Sequence, residues 1–329
     1  MARKLYTVQE IATSVRARLD EMNRDSIDDE RDILPALNRA LEYAVDIYSR
    51  HYPDPYIAST TVQLVNGQQD YDIPEEVFED RVIKVDLKGT TNYYQDIVRV
   101  SYRDLANYET EGTTATPFYY ATVGRKLHVL PTPTDTYSLR IWYVKNPEQL
   151  VLPQGRVTVV GDGSNQANNY VVVDTPGSQL TTESDQLESY VNVINSKTGE
   201  IRATLQIASI DDGRVTFRQI PSRDEVLGRT VGSSVAGIGV TKDDYLCICT
   251  GICVPYLSSP TSNFVIQFAI AELSRQLGVN GVEEEQVLQK FEDQVKKTWA
   301  GREPTTRIAK RSQAFGTNIR KWQLTQRNN

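Results

Sequence analysis

The chain has 329 residues, 39% of them hydrophobic and 24% charged, and a formal net charge of −7. This composition excludes a wholly disordered or collagen-like chain, and no run of about 18 apolar residues predicts a membrane-spanning helix. The N-terminal region lacks the apolar stretch of a signal peptide, so we expect a protein that stays where it is made or leaves within a larger particle. All three cysteines lie within Cys247–Cys253, which favours a reducing environment.

Positive charge is concentrated at the C-terminal end of the sequence. Residues 300–329 hold seven Lys and Arg against one acid, a charge of +6, so the other 299 residues carry −7 − 6 = −13. Because an acidic body repels phosphate, we do not expect nucleic acid as a tightly bound ligand. A basic segment on an acidic body is typical of an arm that binds a separate surface; a solvated terminus is the alternative.

Two amphipathic helices are predicted at the start of the chain. Thr7 and Glu10 have the spacing of a capping box, and apolar residues then recur on one helical face as far as Met22. Acidic residues between 25 and 30 precede a second helix, where the helix dipole favours negative charge. The apolar stripe of that helix runs from Ile33 to Tyr48, with Pro35 in its first turn.

From Ile57 to Leu150 the apolar period changes from helical to two, which predicts a small antiparallel sheet. A hairpin is expected around Asn66-Gly67, further strands at 81–87, 118–123, 126–130 and 137–144, and a short helix at 101–108. The last strand places Leu139, Ile141 and Tyr143 on one face and Arg140 and Trp142 on the other.

Residues 151–257 hold 11 of the 19 glycines and read as short strands separated by turns. The strands are expected at 156–160, 170–173, 190–194, 201–207, 214–218 and 245–252, which favours a small β-barrel or a β-sandwich. After Pro260, a helix capped by Ser262 and a last helix from Glu283 to Trp299 close the chain.

The order of these elements predicts an α+β fold with three parts. Helices at both ends of the chain bury their apolar stripes most easily against each other. We therefore expect a core, residues 1–150 and 258–300, built from a helical bundle and a small antiparallel sheet. Residues 151–257 form an inserted all-β domain whose ends lie together, and residues 301–329 form an extended basic C-terminal arm.

The residues that usually carry chemistry form no recognisable site, so we expect no enzymatic activity, cofactor or metal. His128 lies on the polar side of a strand, and the three cysteines lack the fourth ligand that zinc requires. The Gly161–Ser164 segment lacks the lysine of a phosphate loop. The acidic pairs 28–29, 211–212 and 243–244 are most simply turn residues and helix caps.

Tyrosine, in contrast, is abundant, with 18 Tyr against 7 Phe and 3 Trp. Tyrosine suits protein interfaces because it joins apolar area to a polar tip. Tyr48, Tyr52, Tyr56, Tyr93, Tyr94, Tyr119 and Tyr120 are expected to be exposed. The arm adds apolar residues spaced among basic ones, which predicts binding to another subunit by these side chains: Arg307, Ile308, Lys310, Arg311, Phe315, Ile319, Arg320, Lys321, Trp322 and Leu324.

Several segments together resemble a known protein family. They are the helix segment at 34–41, Tyr71-Asp72-Ile73-Pro74, Pro117-Phe118-Tyr119-Tyr120, the run Leu127–Pro133, and Leu139–Tyr143. The combination is similar to the head-to-tail connector (adaptor) proteins of tailed bacteriophages, of the type that joins the portal to a tail nozzle or tail tube. The resemblance covers residues 7–150 and 262–299 and leaves out the β-rich insert.

This resemblance implies a structural virion protein at the portal vertex. It implies a homo-oligomeric ring, usually of twelve copies, with the portal and a tail protein as partners, and with double-stranded DNA passing through without tight binding. The C-terminal arm would contact the portal. Two alternatives stay open on the residues alone: a carbohydrate- or receptor-binding tail module that uses the insert, and a tail-associated hydrolase that uses paired acids such as Asp211 and Asp243.

Overall fold

The computed structural model describes residues 5–19, 27–51, 53, 56–88, 93–108, 114–164, 168–174, 180, 182, 189–218, 235, 237–255, 257–278 and 283–299. The fold is mixed α+β. Its helices are α1 (Val8–Arg18), α2 (Leu34–His51), α3 (Leu105–Tyr108), α4 (Ser259–Gln276) and α5 (Glu284–Trp299), with a π-helical turn at Asp29–Ile33 and a 3₁₀ turn at Tyr102–Asp104.

The strands fall into a first group before residue 151 and a second group after it. The first comprises β1 (Ile57–Gln63), β2 (Asp70–Asp72), β3 (Val77–Lys88), β4 (Tyr94–Arg99), β5 (Thr114–Ala115), β6 (Tyr119–Val123), β7 (Lys126–Leu130), β8 (Thr132–Pro133), β9 (Ser138–Lys145) and β10 (Gln149–Leu150). The second comprises β11 (Gly155–Val160), β12 (Tyr170–Val173), β13 (Tyr190–Ile194), β14 (Ile201–Asp211), β15 (Arg214–Phe217), β16 (Tyr245–Ile248) and β17 (Gly251–Ile252).

Helices from both ends of the chain share one apolar core. Buried residues of α1, α2, α4 and α5 form a single cluster. At its centre the rings of Phe264 and Phe291 stack with centroids 4.1 Å apart, and Tyr48 meets Phe291 edge-on at 5.6 Å. Aromatic pairs of this kind contribute about 1 kcal/mol beyond the area they bury. The amphipathic stripes seen in the sequence are therefore buried against one another.

The ends of these helices are fixed by side-chain caps. The predicted capping box of α1 is confirmed, because Glu10 N–H donates to Thr7 Oγ1 (3.1 Å) and Thr7 N–H donates to the Glu10 carboxylate (2.9 Å). The predicted cap of α4 is wrong. Ser258, not Ser262, accepts from a backbone N–H, and Pro260 lies inside the first turn, where its missing N–H costs nothing.

The first sheet has seven strands in the order β1-β9-β3-β4-β6-β7-β2. It is larger than the predicted sheet and not wholly antiparallel, since β4 and β6 run parallel. One face packs around its own apolar core, to which Leu139, Ile141 and Tyr143 of β9 contribute as predicted. The opposite face of the sheet carries Arg140 and Trp142.

The second group of strands closes into a barrel in the order β11-β12-β15-β14-β13-β16. All six predicted strands are present. They form the β-barrel and not the β-sandwich, which were the two alternatives that the sequence left open. Its interior is filled mainly by valine and other β-branched residues. The predicted strand 245–252 is divided, because residues 249–250 form a turn and β17 leaves the barrel.

The chain enters and leaves the barrel at one place. β10 and β17 pair in parallel, with Leu150 opposite Ile252. Gly251 is required there, because a Cβ atom would collide with the carbonyl oxygen of Gln149. Asn38 of α2 donates to the carbonyl of Leu150 (3.1 Å) and accepts its N–H (2.7 Å). These bonds attach the barrel's entry and exit to the helices.

Candidate interaction surface

The predicted portal-binding residues all lie between positions 307 and 324, outside the described residues. They remain predictions. Within the part of the chain that the structure does describe, the residues best suited to contact a partner lie on the outer face of the seven-stranded sheet and where the paired strands β4 and β6 meet.

Three neighbouring strands build a stack of cations and rings on the outer face of the sheet. The guanidinium carbon of Arg140 (β9) lies 3.8 Å from the ring centroid of Tyr94 (β4) and 4.7 Å from that of Trp142. Lys84 Nζ lies 5.7 Å from the Trp142 ring and Lys88 Nζ 5.6 Å from the Tyr94 ring. Cation–π contacts of this kind contribute about 0.5–1 kcal/mol each at exposed sites. We call these five residues the Arg140 ladder.

The ladder stands on one buried carboxylate, Asp86 of β3, whose surface is only 1% exposed. Its Oδ2 accepts hydrogen bonds from Arg140 Nη2 (2.8 Å) and Trp142 Nε1 (2.6 Å), and Lys84 Nζ lies 3.1 Å from Oδ1. The strand register places Asp86 next to these donors, because Asp86 is paired with Arg140 on one side and with Asp96 on the other. A carboxylate is thereby held beneath three donors on a rigid sheet.

Two opposing effects set the pKa of Asp86. Burial acts to raise it, since an ionised carboxylate loses hydration. Hydrogen bonding to the Trp142, Arg140 and Lys84 groups outweighs burial and holds the pKa of Asp86 well below its usual value. The carboxylate is therefore ionised at neutral pH and fixes the Arg140 and Trp142 side chains in place.

An exposed apolar strip lies beside the ladder, where β4 meets β6. Val98 is 59% exposed, Tyr102 66% and Phe118 48%. Val98 N–H donates to the Phe118 carbonyl (2.8 Å), and the Tyr108 and Tyr119 rings lie 4.7 Å apart. Trp, Tyr and Arg are the residues that most often dominate binding energy at protein interfaces. The strip and the ladder together form a surface of that composition.

The predicted exposure of tyrosine holds only for some positions. Tyr93 is exposed, and Tyr94 reaches solvent as part of the ladder. Tyr48 and Tyr120 are buried, so the prediction is wrong for them: Tyr48 packs between helices, and Tyr120 faces the sheet core. Tyr56 and Tyr119 are half-buried, and Tyr52 lies outside the described residues.

The acidic pairs have structural roles wherever the structure describes their contacts. Asp28 Oδ1 accepts the N–H groups of Glu30 and Arg31 and so caps the π-helical turn. Asp244 is buried and forms an ion pair with Arg202 at 2.9 Å. Asp212 has a positive φ in the turn between β14 and β15. The cap at Asp28 and the turn at Asp212 are the functions that the sequence predicts, whereas the buried ion pair of Asp244 is not predicted.

The remaining polar candidates are also accounted for locally. His128 Nδ1 lies 2.7 Å from Asp70 Oδ1 on the neighbouring strand β2. The three cysteines are buried, as predicted, although Cys249 lies in a turn rather than on the strand of Cys247. Asp162 Oδ1 accepts from the N–H and the hydroxyl of Ser164, which makes the 161–164 segment a turn. Over the described ranges, no group of three or more His, Cys, Asp or Glu residues could hold a metal ion.

No helix among the described residues is long and apolar enough to cross a membrane.

No curated protein matches the sequence. The family model described as SU10 adaptor protein matches residues 6–176, slightly more than half of the chain. The match contains the helices α1 and α2, the whole seven-stranded sheet with the Arg140 ladder, and the first two barrel strands. It extends further into the β-rich insert than the motif resemblance, which ended at Leu150, and it does not include the closing helices. The chain therefore belongs to the SU10 adaptor protein family, a family of phage head-tail adaptor proteins.

Proposed function

We propose that the protein is a structural component of the phage neck that joins the portal to the tail. The family match over residues 6–176 is the observation that carries this proposal. In the proposed assembly, identical copies form a closed ring, twelve in number, through contacts between unlike surfaces of neighbouring copies. The ring continues the DNA channel below the portal, and its acidic body repels the phosphates of DNA in transit.

We further propose the division of the chain that the sequence predicts. Residues 1–150 and 258–300 form the adaptor core, and residues 151–257 are an inserted domain. The parallel pairing of β10 with β17 supports this division, because an insertion requires its two ends to lie side by side. The barrel also has an apolar core of its own.

The arm, residues 301–329, is proposed to bind the portal through its ten basic and apolar side chains between Arg307 and Leu324. Its support is the contrast in charge, +6 in residues 300–329 against −13 in the rest of the chain. Basic residues would accelerate the encounter with an acidic surface, and the apolar residues would supply the buried contacts. The protein is proposed to have no enzymatic activity, since its family is structural and its acidic pairs cap helices and form turns.

The arm proposal is tested by removing Thr305–Asn329 and measuring co-sedimentation with purified portal. We expect the shortened chain to keep its far-ultraviolet circular dichroism and to lose portal binding. A full-length chain with Lys296→Gln and Lys297→Gln is the matched control, because it removes two positive charges from α5 without touching the arm. Undiminished binding by the shortened chain would show that the portal contact lies elsewhere.

A further inference from the structure

Exposed apolar side chains are concentrated in one part of the seven-stranded sheet. Of the twelve large apolar side chains that are exposed among the described residues, seven lie between Tyr93 and Val123, in and around the strip. A contiguous apolar surface that is left exposed usually marks a site where another molecule binds. The strip therefore needs a partner that brings apolar surface of its own.

Two arginines beside the strip add positive charge. Arg99 follows Val98 on β4, Arg103 follows Tyr102, and both arginines are exposed. Arg99 Nη2 donates to Thr122 Oγ1 at 3.0 Å, and neither guanidinium has a carboxylate partner among the residues that the structure describes. With the ladder, they bring five cations to this region against three carboxylates, which are those of Asp86, Asp96 and Asp104.

A matching surface lies at one end of the helical bundle. Arg39, near the start of α2, forms an ion pair with Glu272 of α4. Arg275, near the end of α4, forms an ion pair with Glu284 at the start of α5. The starts of α2 and α5 and the end of α4 therefore lie together.

This end of the bundle is acidic and partly apolar. Residues 28–33 and 283–285 together hold seven acids and one base. Leu34 of α2 and Leu277 after α4 pack against the bundle core but are only half-buried. Three of the acids are exposed and form no ion pair with any described residue: Glu30, Glu283 and Glu285. We call this surface the acidic end.

A buried carboxylate at the acidic end lacks a donor. The Glu272 side chain is only 4% exposed, and its Oε2 accepts no hydrogen bond from the described residues. Burying a polar atom without a partner is costly, and a cation from another molecule beside Arg39 would offset that cost. The charge and the apolar surface of the acidic end are thus both incomplete in a single copy.

The strip and the acidic end belong to different ends of the molecule. α2 has 18 residues and is about 27 Å long. The acidic end lies at its start, whereas the sheet packs against its last two turns, where Val45, Phe78 and Val144 form an apolar cluster. A contact between the two surfaces therefore needs a second copy of the chain.

We propose that the strip of one copy binds the acidic end of the next copy, with Arg99 and Arg103 facing its carboxylates and the aromatic rings of the strip covering its leucines. The inference rests on the ring proposed above, for which it names the two surfaces that meet. Because the contact joins unlike surfaces, each copy keeps one of each for its other neighbour, and the series ends only when the ring closes. The charges select the partner and the orientation, while the apolar side chains supply the buried contact.

Charge reversal in the full-length protein, mixed with purified portal, tests this inference by sedimentation velocity. The strip variant carries Arg99→Glu and Arg103→Glu, and the end variant carries Glu283→Lys and Glu285→Lys. In either variant alone, like charges face each other, so the concentration needed to form the ring should rise at least about tenfold. An equal mixture of the two variants should form rings at the native concentration, because every contact between them again joins opposite charges.

A matched control reverses two exposed lysines of the barrel, Lys197→Glu and Lys242→Glu, and should assemble as the native chain does. Rings that form equally well from the native chain and from each of the two variants would overturn the inference and leave the proposed ring intact. Loss of the ring in both variants without recovery in their mixture would also overturn it. A native chain that forms no ring on the portal would overturn the inference and the ring together.

Discussion

The barrel and the seven-stranded sheet differ in whether they leave strand edges and polar or aromatic faces available to other chains. The barrel closes on itself, so its strands have no free edge, and its interior is a uniform set of apolar side chains. The seven-stranded sheet is open, with β1 and β2 at its edges, and it carries a buried carboxylate, stacked cations and an exposed apolar strip. Strand edges and polar-aromatic faces are where sheets bind other chains.

This difference indicates that the barrel and the sheet have different roles in the molecule. The barrel has an apolar core, and its buried Asp244 forms an ion pair with Arg202. The sheet holds Asp86 ionised and buried, an arrangement that adds little net stability but fixes the geometry of Arg140 and Trp142. We therefore expect substitutions in the sheet to act through charge and recognition, and substitutions in the barrel to act through packing.

The largest effect is expected for Asp86→Ala. Removing this carboxylate leaves the Arg140 guanidinium and the Trp142 N–H without their buried partner, which should lower the free energy of unfolding by about 3–5 kcal/mol. Urea unfolding followed by far-ultraviolet circular dichroism measures this loss. Asp96→Asn is the control, because the Asp96 side chain is 77% exposed. A loss below about 1 kcal/mol would show that the ladder does not need Asp86.

A somewhat smaller effect is expected for Leu205→Ala in the barrel. Leu205 is fully buried, and its truncation should cost about 3 kcal/mol through lost transfer energy and the cavity left behind. Hydrogen exchange of β13 and β14 amides should report the loss, while amides of β3 and β9 should be unchanged. An equal rise in the exchange rates of barrel and sheet amides would contradict the proposal that the barrel is a separate inserted domain.

Lowering the pH should reveal a further difference, because the sheet contains the ionised and buried Asp86. The folded-state pKa of Asp86 is depressed, so its contribution is complete above the unfolded-state pKa of about 4 and is lost as the pH falls toward the depressed value. The difference in stability between the native chain and Asp86→Asn should therefore shrink below about pH 4 and be constant from pH 5 to 8. Urea unfolding across this range provides the test. A difference that grows in acid would mean that the pKa is raised instead.

The smallest change in stability is expected for Phe118→Ser on the exposed strip. Because the Phe118 side chain is half exposed, its loss should alter the free energy of unfolding by no more than about 0.5 kcal/mol. The same substitution should weaken self-association or partner binding, measured by sedimentation. If stability falls while association is unchanged, the strip serves the fold and not an interface.

Much of the fold could be predicted from periodicity. The stripes of α2 and α5, the capping box at Thr7 and the six barrel strands all follow from local patterns. The strand β4 was missed because only Ile97 of its six residues is buried, so it has no apolar alternation. The start of α4 was misplaced because Ser262 and Ser258 are both suitable caps, and only tertiary contacts, such as that of Ser258 with Tyr48, distinguish them.

The interaction surface could be predicted only in outline. The sequence places Arg140 and Trp142 on the same side of one strand. It does not show that Asp86 and Tyr94 lie beside them, because strand register is a long-range property. The alternating residues Lys84, Asp86 and Lys88 were the available signal, since charges at every second position indicate one solvent-facing side of a strand. From the sequence, Tyr48 and Tyr120 are expected to be as exposed as Tyr93. Only packing in the folded protein distinguishes these buried residues from Tyr93.

The central claim is that this chain is a structural adaptor that assembles on a portal. Its most direct test is the mass of the full-length protein in solution, measured alone and after mixing with purified portal. We expect the mixture to contain a complex of portal with a ring of this protein, with a mass that gives an integral number of copies. Protein that remains monomeric in the presence of portal would contradict the account.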